Sequence, residues 1–364
     1  MKINLIIFLS EFNHGGAGNS IFRLCQRLSK KKYKISIICL NHCSYEKELK
    51  KHNIKVFKIK EKKTFTAMFK IKNLVEDLLS TTYKKNIFMS NIHYSNILSI
   101  LFLRRFKMKM VLIERTPHQE LNIFFNLLDF FKKKIMKLLI KFLYKYADLC
   151  LSNSNYISKE YNKKYNLKFK TIYPPSFMGN EKILKNSKKN IQQFSFGTVC
   201  RLTKEKGLAE FIKSISKLNF EFKFFIIGDG PEKNMLEDLA VKLNIKNKII
   251  FCGFQNYFQI KKKLKDIDLF VNCSYFEGFP NSVVESLANG TPVLASQSFG
   301  GINEIILNKN FGNIYKNETQ LINLLQKFNV KRRGHMNQKL INDHLKKFSI
   351  SENVKKYSNM FENI

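Results

Sequence analysis

The sequence predicts an α/β protein made of two similar halves, each built on a mainly parallel sheet, facing each other across a cleft. Three observations carry that expectation. The chain has 364 residues, more than one ordinary core accommodates and suited to two. Short apolar runs alternate with longer helical patterns from end to end, which implies βαβ units. Around residues 180–192 the polar stretch NEKILKNSKKNIQQ interrupts the alternation, which then restarts.

In the first half KINLIIFL, YKISIICL, IKVFKI, NIFMS, KMVLIE and DLCLSNS read as strands, with a glycine turn and a helix over NSIFRLCQRLSKK after the first. In the second half FSFGTVCRL, FKFFIIGDG, KIIFCGF, DLFVNCS and TPVLAS are strand-like, with helices over GLAEFIKSISKL and PEKNMLEDLAVKL. The expected domains are residues 1–185 and 186–340, with a C-terminal helix over 341–364 packing back on the first. Open parallel sheets bind ligands beyond the carboxyl ends of their strands. The strand-end loops are therefore where chemistry is expected.

Lys and Arg number 64 against 28 Asp and Glu, a net charge of +36. This favours polyanionic partners (nucleic acid, an anionic membrane surface or phosphorylated substrates), or reflects compositional drift in a chain rich in Lys, Asn, Ile and Phe. The lysines are scattered, and no helix-turn-helix, finger or aromatic-basic signature appears, so nucleic acid is not the expected partner. Seven cysteines without a C-x-x-C pair point to a reducing compartment and against a disulfide framework or zinc. MKINLIIFLSEFNHGG reads as a first buried strand, because Glu11 follows the apolar run and no cleavage site appears. No stretch of about 18 uncharged apolar residues is present, so no span is expected. The expected location is the cytoplasm, at the inner face of the plasma membrane if the protein docks there.

Four strand-end segments hold the candidate chemistry. HGGAGNS follows the first strand, and Gly15 and Gly16 at a helix N-terminus serve as a phosphate cradle or as a plain tight turn. GTVCRLTKEKGL sets Arg201 and Lys206 in one loop, a fork and a point charge suited to a diphosphate. IIGDGPEKNML adds a glycine turn at Gly228 and Gly230. NCSYFEGFPNSVVESLANGTPVLAS places Glu277 in a loop, Gly278 and the amides after it at a helix entrance, and Glu285 inside the helix, which Gly290 ends. Two carboxylates flanking an anion-binding helix entrance suit the hydroxyls and diphosphate of a nucleotide sugar. DID at 266–268 reads as a helix end entering a strand, not a metal site.

These segments, in this order, resemble the retaining glycosyltransferases of family 4, which have the two-Rossmann GT-B architecture. EGFPNSVVE resembles their E-x7-E segment, RLTKEKG their R-x4-KG motif, and GGAGNS and IIGDGP their two glycine turns. The resemblance implies that Arg201 and Lys206 grip the donor diphosphate, Glu285 bonds the ribose, and Glu277 faces the transferred sugar. Gly278, Phe279, Pro280 and Asn281 would complete the pocket, and Gly16 would approach the distal phosphate. It also implies a histidine at a strand end of the first domain, offered here by His93 in MSNIHYSN, with Glu114, Arg115 and His118 as weaker neighbours. The implied reaction is front-face transfer with retention, without metal or other cofactor. The chain departs from the pattern at Gly18, where many relatives have an acid, and at YPPS, where many have an Asn-rich turn.

Residues 121–146, LNIFFNLLDFFKKKIMKLLIKFLYKY, read as one cationic amphipathic helix. Phe124, Leu128, Phe131, Ile135, Leu138, Leu139, Phe142 and Tyr146 share a face, opposite Lys133, Lys134, Lys137, Lys141 and Lys145. That face either packs on the first sheet or lies in an anionic membrane surface, which suits a lipid-linked saccharide acceptor. The competing expectations are a GT-B relative with another activity, such as a nucleotide-sugar epimerase or an inactive scaffold, and, lower, a nucleic-acid-binding protein.

Overall fold

The computed structural model describes residues 2–79, 81–124, 126–179, 193–331 and 337–364. The linker expected at 180–192 lies outside the described residues. The chain forms two compact units, one from Met1–Pro175 with Ile350–Ile364 and the other from Ser176–Ser349.

The first unit runs β1 (Ile3–Phe8), α1 (Gly16–Arg27), β2 (Tyr33–Leu40), α2 (Glu46–Lys51), β3 (Lys55–Ile59), α3 (Thr64–Leu78), β4 (Lys85–Asn91), α4 (His93–Leu103), β5 (Lys109–Glu114), α5 (Leu127–Leu143), β6 (Leu149–Ser152), α6 (Asn155–Tyr165) and β7 (Phe169–Thr171). Its seven strands are parallel in the order β3-β2-β1-β4-β5-β6-β7. All six residues of β1 are buried, as a central parallel strand covered on both faces requires. The two-residue period then divides them: Ile3, Leu5 and Ile7 enter one core, Ile6 and Phe8 the other.

The second unit contains β8 (Phe194–Val199), α7 (Leu208–Ile215), β9 (Phe222–Ile227), α8 (Lys233–Lys242), β10 (Ile249–Gly253), α9 (Tyr257–Asp266), β11 (Leu269–Asn272), β12 (Phe276–Glu277), α10 (Asn281–Ala288), β13 (Val293–Ser296), β14 (Phe299–Gly300), α11 (Ile302–Ile305), β15 (Asn313–Tyr315), α12 (Glu318–Lys331) and α13 (Gln338–Leu345). Its main sheet is ordered β10-β9-β8-β11-β13-β15, and β12 pairs only with β14. Stacked phenylalanines fill its core, with the Phe196 ring 5.0 Å from Phe224 and 5.3 Å from Phe222. In both sheets the strand order reverses direction beside the first strand, between β1 and β4 and between β8 and β11. Such switch points leave a crevice at the carboxyl edge. The architecture is thus two Rossmann-like parallel-sheet units.

The last helix, α14 (Ile350–Asn363), belongs to the first unit. Its Tyr357 and Phe361 enter the core that holds β1, β2 and α1, and Tyr33 Oη meets Ser358 Oγ at 2.9 Å. All seven cysteines are free, five of them buried.

The single helix expected over 121–146 is a correction. A 3-10 turn (His118–Asn122) precedes α5, and a second (Tyr144–Tyr146) follows it. Asn126 sets the start of α5, its side chain accepting from the Asp129 amide at 2.8 Å, so Phe124 lies before the helix. Met136 and Ile140 are the buried residues of α5, with Leu139 and Leu143 packed beside them. Most of the expected apolar face points to solvent instead.

Phe361→Ala removes a fully buried ring from the first unit. It should cost about 3–5 kcal/mol in denaturant unfolding, as large-to-small core changes do. A near-neutral result would show that α14 does not complete this core.

Candidate functional site

In the second unit the sequence-derived residues gather at the carboxyl edge of the sheet, in the loops around the β8/β11 switch point. Arg201 and Lys206 lie in the loop after β8, Gly228 after β9, and Glu277 to Asn281 after β11, with Glu285 in α10. Backbone hydrogen bonds join these loops. The Leu202 amide donates to Asp229 O at 2.9 Å, and the Tyr275 amide to Glu205 O at 2.9 Å. Gly228, at φ +138°, has no room for a side chain, since a Cβ there would lie 1.9 Å from Cys200 O.

Gly207 does the same between the first and third loops. It sits at φ +66°, and a Cβ would fall 2.3 Å from Cys273 O. Its left-handed turn caps the short 3-10 segment Lys204–Lys206 and starts α7. That approach delivers Lys206 to Glu277, with Nζ 2.8 Å from Oε1 and side chains only 15% and 21% exposed. The other carboxylate oxygen of Glu277 accepts from Asn272 Nδ2 at 3.1 Å. Burial alone would push the Glu277 carboxyl up, but the Lys206 ammonium outweighs it and holds the pKa below the usual value. Burial would likewise lower the Lys206 pKa, and the Glu277 carboxylate raises it above the ordinary lysine value.

Gly278, Phe279 and Pro280 are buried at the entrance to α10. Phe279 stacks edge-on against Phe348 at 5.0 Å, so its ring holds the loop in place. Asn281 Oδ1 accepts from Ser176 Oγ at 2.9 Å, which fixes the first helical residue to the YPPS segment. Glu285 is half-buried one turn further on. Asp268 of the DID stretch accepts from the amide and hydroxyl of Ser195, each at 2.9 Å, and so ties the entry of β11 to β8.

In the first unit the same topological position holds the glycine loop and His93. Gly15 and Gly16 open α1 and are exposed, and the Gly15 amide donates to Asn13 Oδ1 at 3.0 Å. His93 opens α4 directly after the neighbouring strand β4. The residue between them, Ile92, has φ +72° and ψ 138°, a conformation costly for a β-branched side chain. Such strain marks sites where backbone direction matters. His93 Nδ1 lies 3.8 Å from Glu114 Oε2, and both side chains are almost fully buried. Glu114 Oε1 is held by Asn96 Nδ2 at 2.8 Å and by the Tyr144 hydroxyl. Burial depresses the His93 pKa, yet its contact with Glu114 outweighs burial and raises it above 6.5.

The weaker neighbours part company. Arg115 Nε donates to Asn91 Oδ1 at 3.0 Å beside the His93 cluster. His118 is held by Tyr165 Oη at 2.6 Å and by Lys164 Nζ at 3.0 Å, and burial, with the charges of Lys164 and Lys137, lowers its pKa to about 4. Sequence reading did not find Asn96 or Tyr144, which reach Glu114 from 18 and 30 positions away, nor Asn272, whose contact with Glu277 five residues on depends on how the loop folds back.

Two titrations check these geometries. The Glu277 carboxyl stabilises the fold above its ordinary value of 4.5, and the contribution is lost as pH falls through its depressed folded value. Glu277→Gln should therefore lower the unfolding midpoint at neutral pH, equivalent to about 3–5 kcal/mol, with the gap to wild type shrinking below pH 4.5. A pH-independent gap would contradict the pairing. The imidazole of His93 should titrate above 6.5 by NMR and fall below that value in Glu114→Gln, where burial acts without the carboxylate. An unmoved titration would separate the two residues.

Comparisons with known proteins fit this arrangement. Residues 14–175 match the family described as Glycosyltransferase Family 4, and residues 179–343 match Glycosyl transferases group 1. An N-acetylgalactosaminyltransferase of Campylobacter jejuni that acts on a diacetylbacillosaminyl-diphospho-undecaprenol-linked sugar is 28% identical over 321 residues, 84% of each chain. An uncharacterized glycosyltransferase of Methanocaldococcus jannaschii is 33% identical over 187 residues, and there the match spans 48% of this chain and only 45% of the relative. Among solved structures, Anabaena HepE in complex with UDP and glucose superposes with a TM-score of 0.79 at 15% identity, over 99% of each chain. Sucrose-phosphate synthase from Thermosynechococcus elongatus gives 0.82 at 13% identity, over 100% of this chain and 99% of that one. With both halves matched in order and both sheets of the Rossmann type, the chain belongs to the family-4 glycosyltransferases of GT-B fold.

Proposed function

We propose that this protein transfers a sugar from a nucleoside-diphosphate sugar to a lipid-linked saccharide acceptor, with retention at the anomeric carbon, in surface polysaccharide or glycan synthesis. The observation that carries the reading is the buried Lys206–Glu277 pair, set at a switch point beside the entrance of α10. Lys206 and Asn272 each hold one oxygen of Glu277, which fixes the carboxylate plane. Each oxygen keeps accepting capacity for a sugar hydroxyl. Glu277 thus presents an oriented acceptor to the transferred sugar, and Glu285 does so for the ribose, with the Gly228 turn beside them.

Breaking the anomeric C–O bond builds negative charge on the departing diphosphate. We assign that charge to Arg201, exposed in the loop after β8, to the Lys206 ammonium and to the first amides of α10, groups that favour negative charge. These cations do the work a metal does elsewhere, and the leaving phosphate takes the proton of the acceptor hydroxyl on the same face. The glycine loop at Gly15 and Gly16 is assigned to the distal phosphate, and His93 to the reacting sugar. Support for a lipid-linked acceptor comes from the Campylobacter relative, whose own acceptor is carried on diphospho-undecaprenol. The solved Anabaena relative holds UDP and glucose, which supports a uridine-type donor class.

Nucleoside diphosphate release should depend on the added saccharide acceptor, which separates transfer from epimerisation or a scaffold role. Glu285→Ala and Lys206→Ala should each lower that rate at least about tenfold, equivalent to roughly 1.4 kcal/mol of lost stabilisation. His93→Ala should lower kcat more than it weakens donor binding. Near-normal turnover by Glu285→Ala and Lys206→Ala would remove the donor assignment.

A further inference from the structure

One side of the first unit exposes far more apolar surface than the other. All twelve of its exposed large apolar side chains, among the described residues, lie on α3, α4, α5 or the chain directly flanking α5. None lies on α1, α2 or α14, which cover the opposite face of the sheet. The three helices α3, α4 and α5 share one core beneath them, so their outer faces point the same way. Along α5, Leu128, Phe131, Ile135, Leu138 and Phe142 follow helical spacing and are 82%, 52%, 55%, 56% and 55% exposed. On α3, Phe65 and Phe69 are exposed and pack edge-on against Phe102 of α4, at 5.9 and 5.0 Å. A single exposed leucine is ordinary, but a contiguous face of this kind marks an interaction surface.

The charges bordering the α5 stripe identify the partner, while α3 carries both signs, with Lys72, Glu76 and Asp77 exposed. Lys132, Lys134, Lys141 and Lys145 are exposed on the flanks of the α5 stripe, and Arg104 lies over the Tyr146 ring at 4.9 Å. Asp129, the one acidic residue of α5, is paired with Lys133 at 3.0 Å and adds no free negative charge. A protein partner of matching shape would present specific acids. Long lysines bordering a broad apolar stripe instead suit a surface that is apolar inside and anionic at its rim. None of the described helices is long and apolar enough to cross a membrane, so the contact is one of lying on it.

We propose that the outer face of α3, α4 and α5 docks this protein on an anionic lipid bilayer, with the α5 stripe in the headgroup layer and the flanking lysines on lipid phosphates. The inference deepens the lipid-linked acceptor reading and rests on it for its purpose, but its test needs neither donor nor acceptor.

The test is flotation of the full chain with phosphatidylcholine vesicles, with and without phosphatidylglycerol. The protein should float with the anionic vesicles, at least about tenfold less with neutral ones, and progressively less as salt rises. Phe131→Glu with Leu138→Glu should cut flotation about tenfold. These side chains already face water, so the unfolding midpoint and the thermal shift with UDP should stay at wild-type values. Leu128→Glu, at the most exposed of these positions, serves as the second variant if the pair misfolds. Absence of flotation, equal flotation by the variants, or a self-associated wild type that the variants render monomeric without any vesicle binding would each overturn the proposal. Flotation as expected with no response to any nucleoside diphosphate would leave the docking face standing and sink the transferase reading.

Discussion

The close approach of two strand-end loops in the second unit governs the rest of its site. Gly207 brings the loop after β8 into backbone contact with Cys273, and no residue with a side chain fits that position. The approach sets Lys206 against Glu277 in a place where water is scarce. A buried pair of this kind adds little net stability over apolar packing, because desolvating both charges offsets their attraction. Its value lies in orientation: a carboxylate with both oxygens held, and an ammonium directed at one spot, are preorganised before any ligand arrives. If the loops parted by even an ångström, Glu277 would regain rotational freedom and the site would lose its geometry.

The first unit uses the same topology with different chemistry. Its switch point carries a buried polar cluster of Asn91, His93, Asn96, Glu114, Arg115 and Tyr144. His93 Nδ1 and Glu114 Oε2 face each other across 3.8 Å, each without a hydrogen-bond partner in a region closed to solvent. Unsatisfied buried groups and a strained Ile92 both cost stability, and their coincidence at a strand end is what a functional site looks like physically.

Much of this was readable from local pattern. The segment NSVVESLA forms α10 as its turn chemistry dictates, and Gly290 after it has φ +75°. The longer strands of both halves follow their apolar runs, whereas the three-residue β7 and β15 and the two-residue β12 and β14 are too short to register as strands. Gly18, a departure from the family pattern, has a steric reason: a Cβ there would lie 1.9 Å from Asn13 O, so the first turn of α1 rests directly on the preceding loop. What the sequence hid is long-range. The pairing of Lys206 with Glu277 spans 71 positions, and Tyr144 reaches Glu114 across 30. The break before α5 turns on one capping asparagine within an otherwise continuous helical pattern, and periodicity could not say which of two apolar faces of α5 would meet the sheet.

The central claim is that the loops following β8, β9 and β11 together bind a nucleoside-diphosphate sugar. Hydrogen exchange of the backbone amides, read by mass spectrometry with and without UDP-sugar, addresses it most directly. The account predicts slowed exchange confined in the second unit to residues 201–207, 228–232 and 273–285. Unchanged exchange in those loops under saturating ligand, or protection centred elsewhere in that unit, would contradict it.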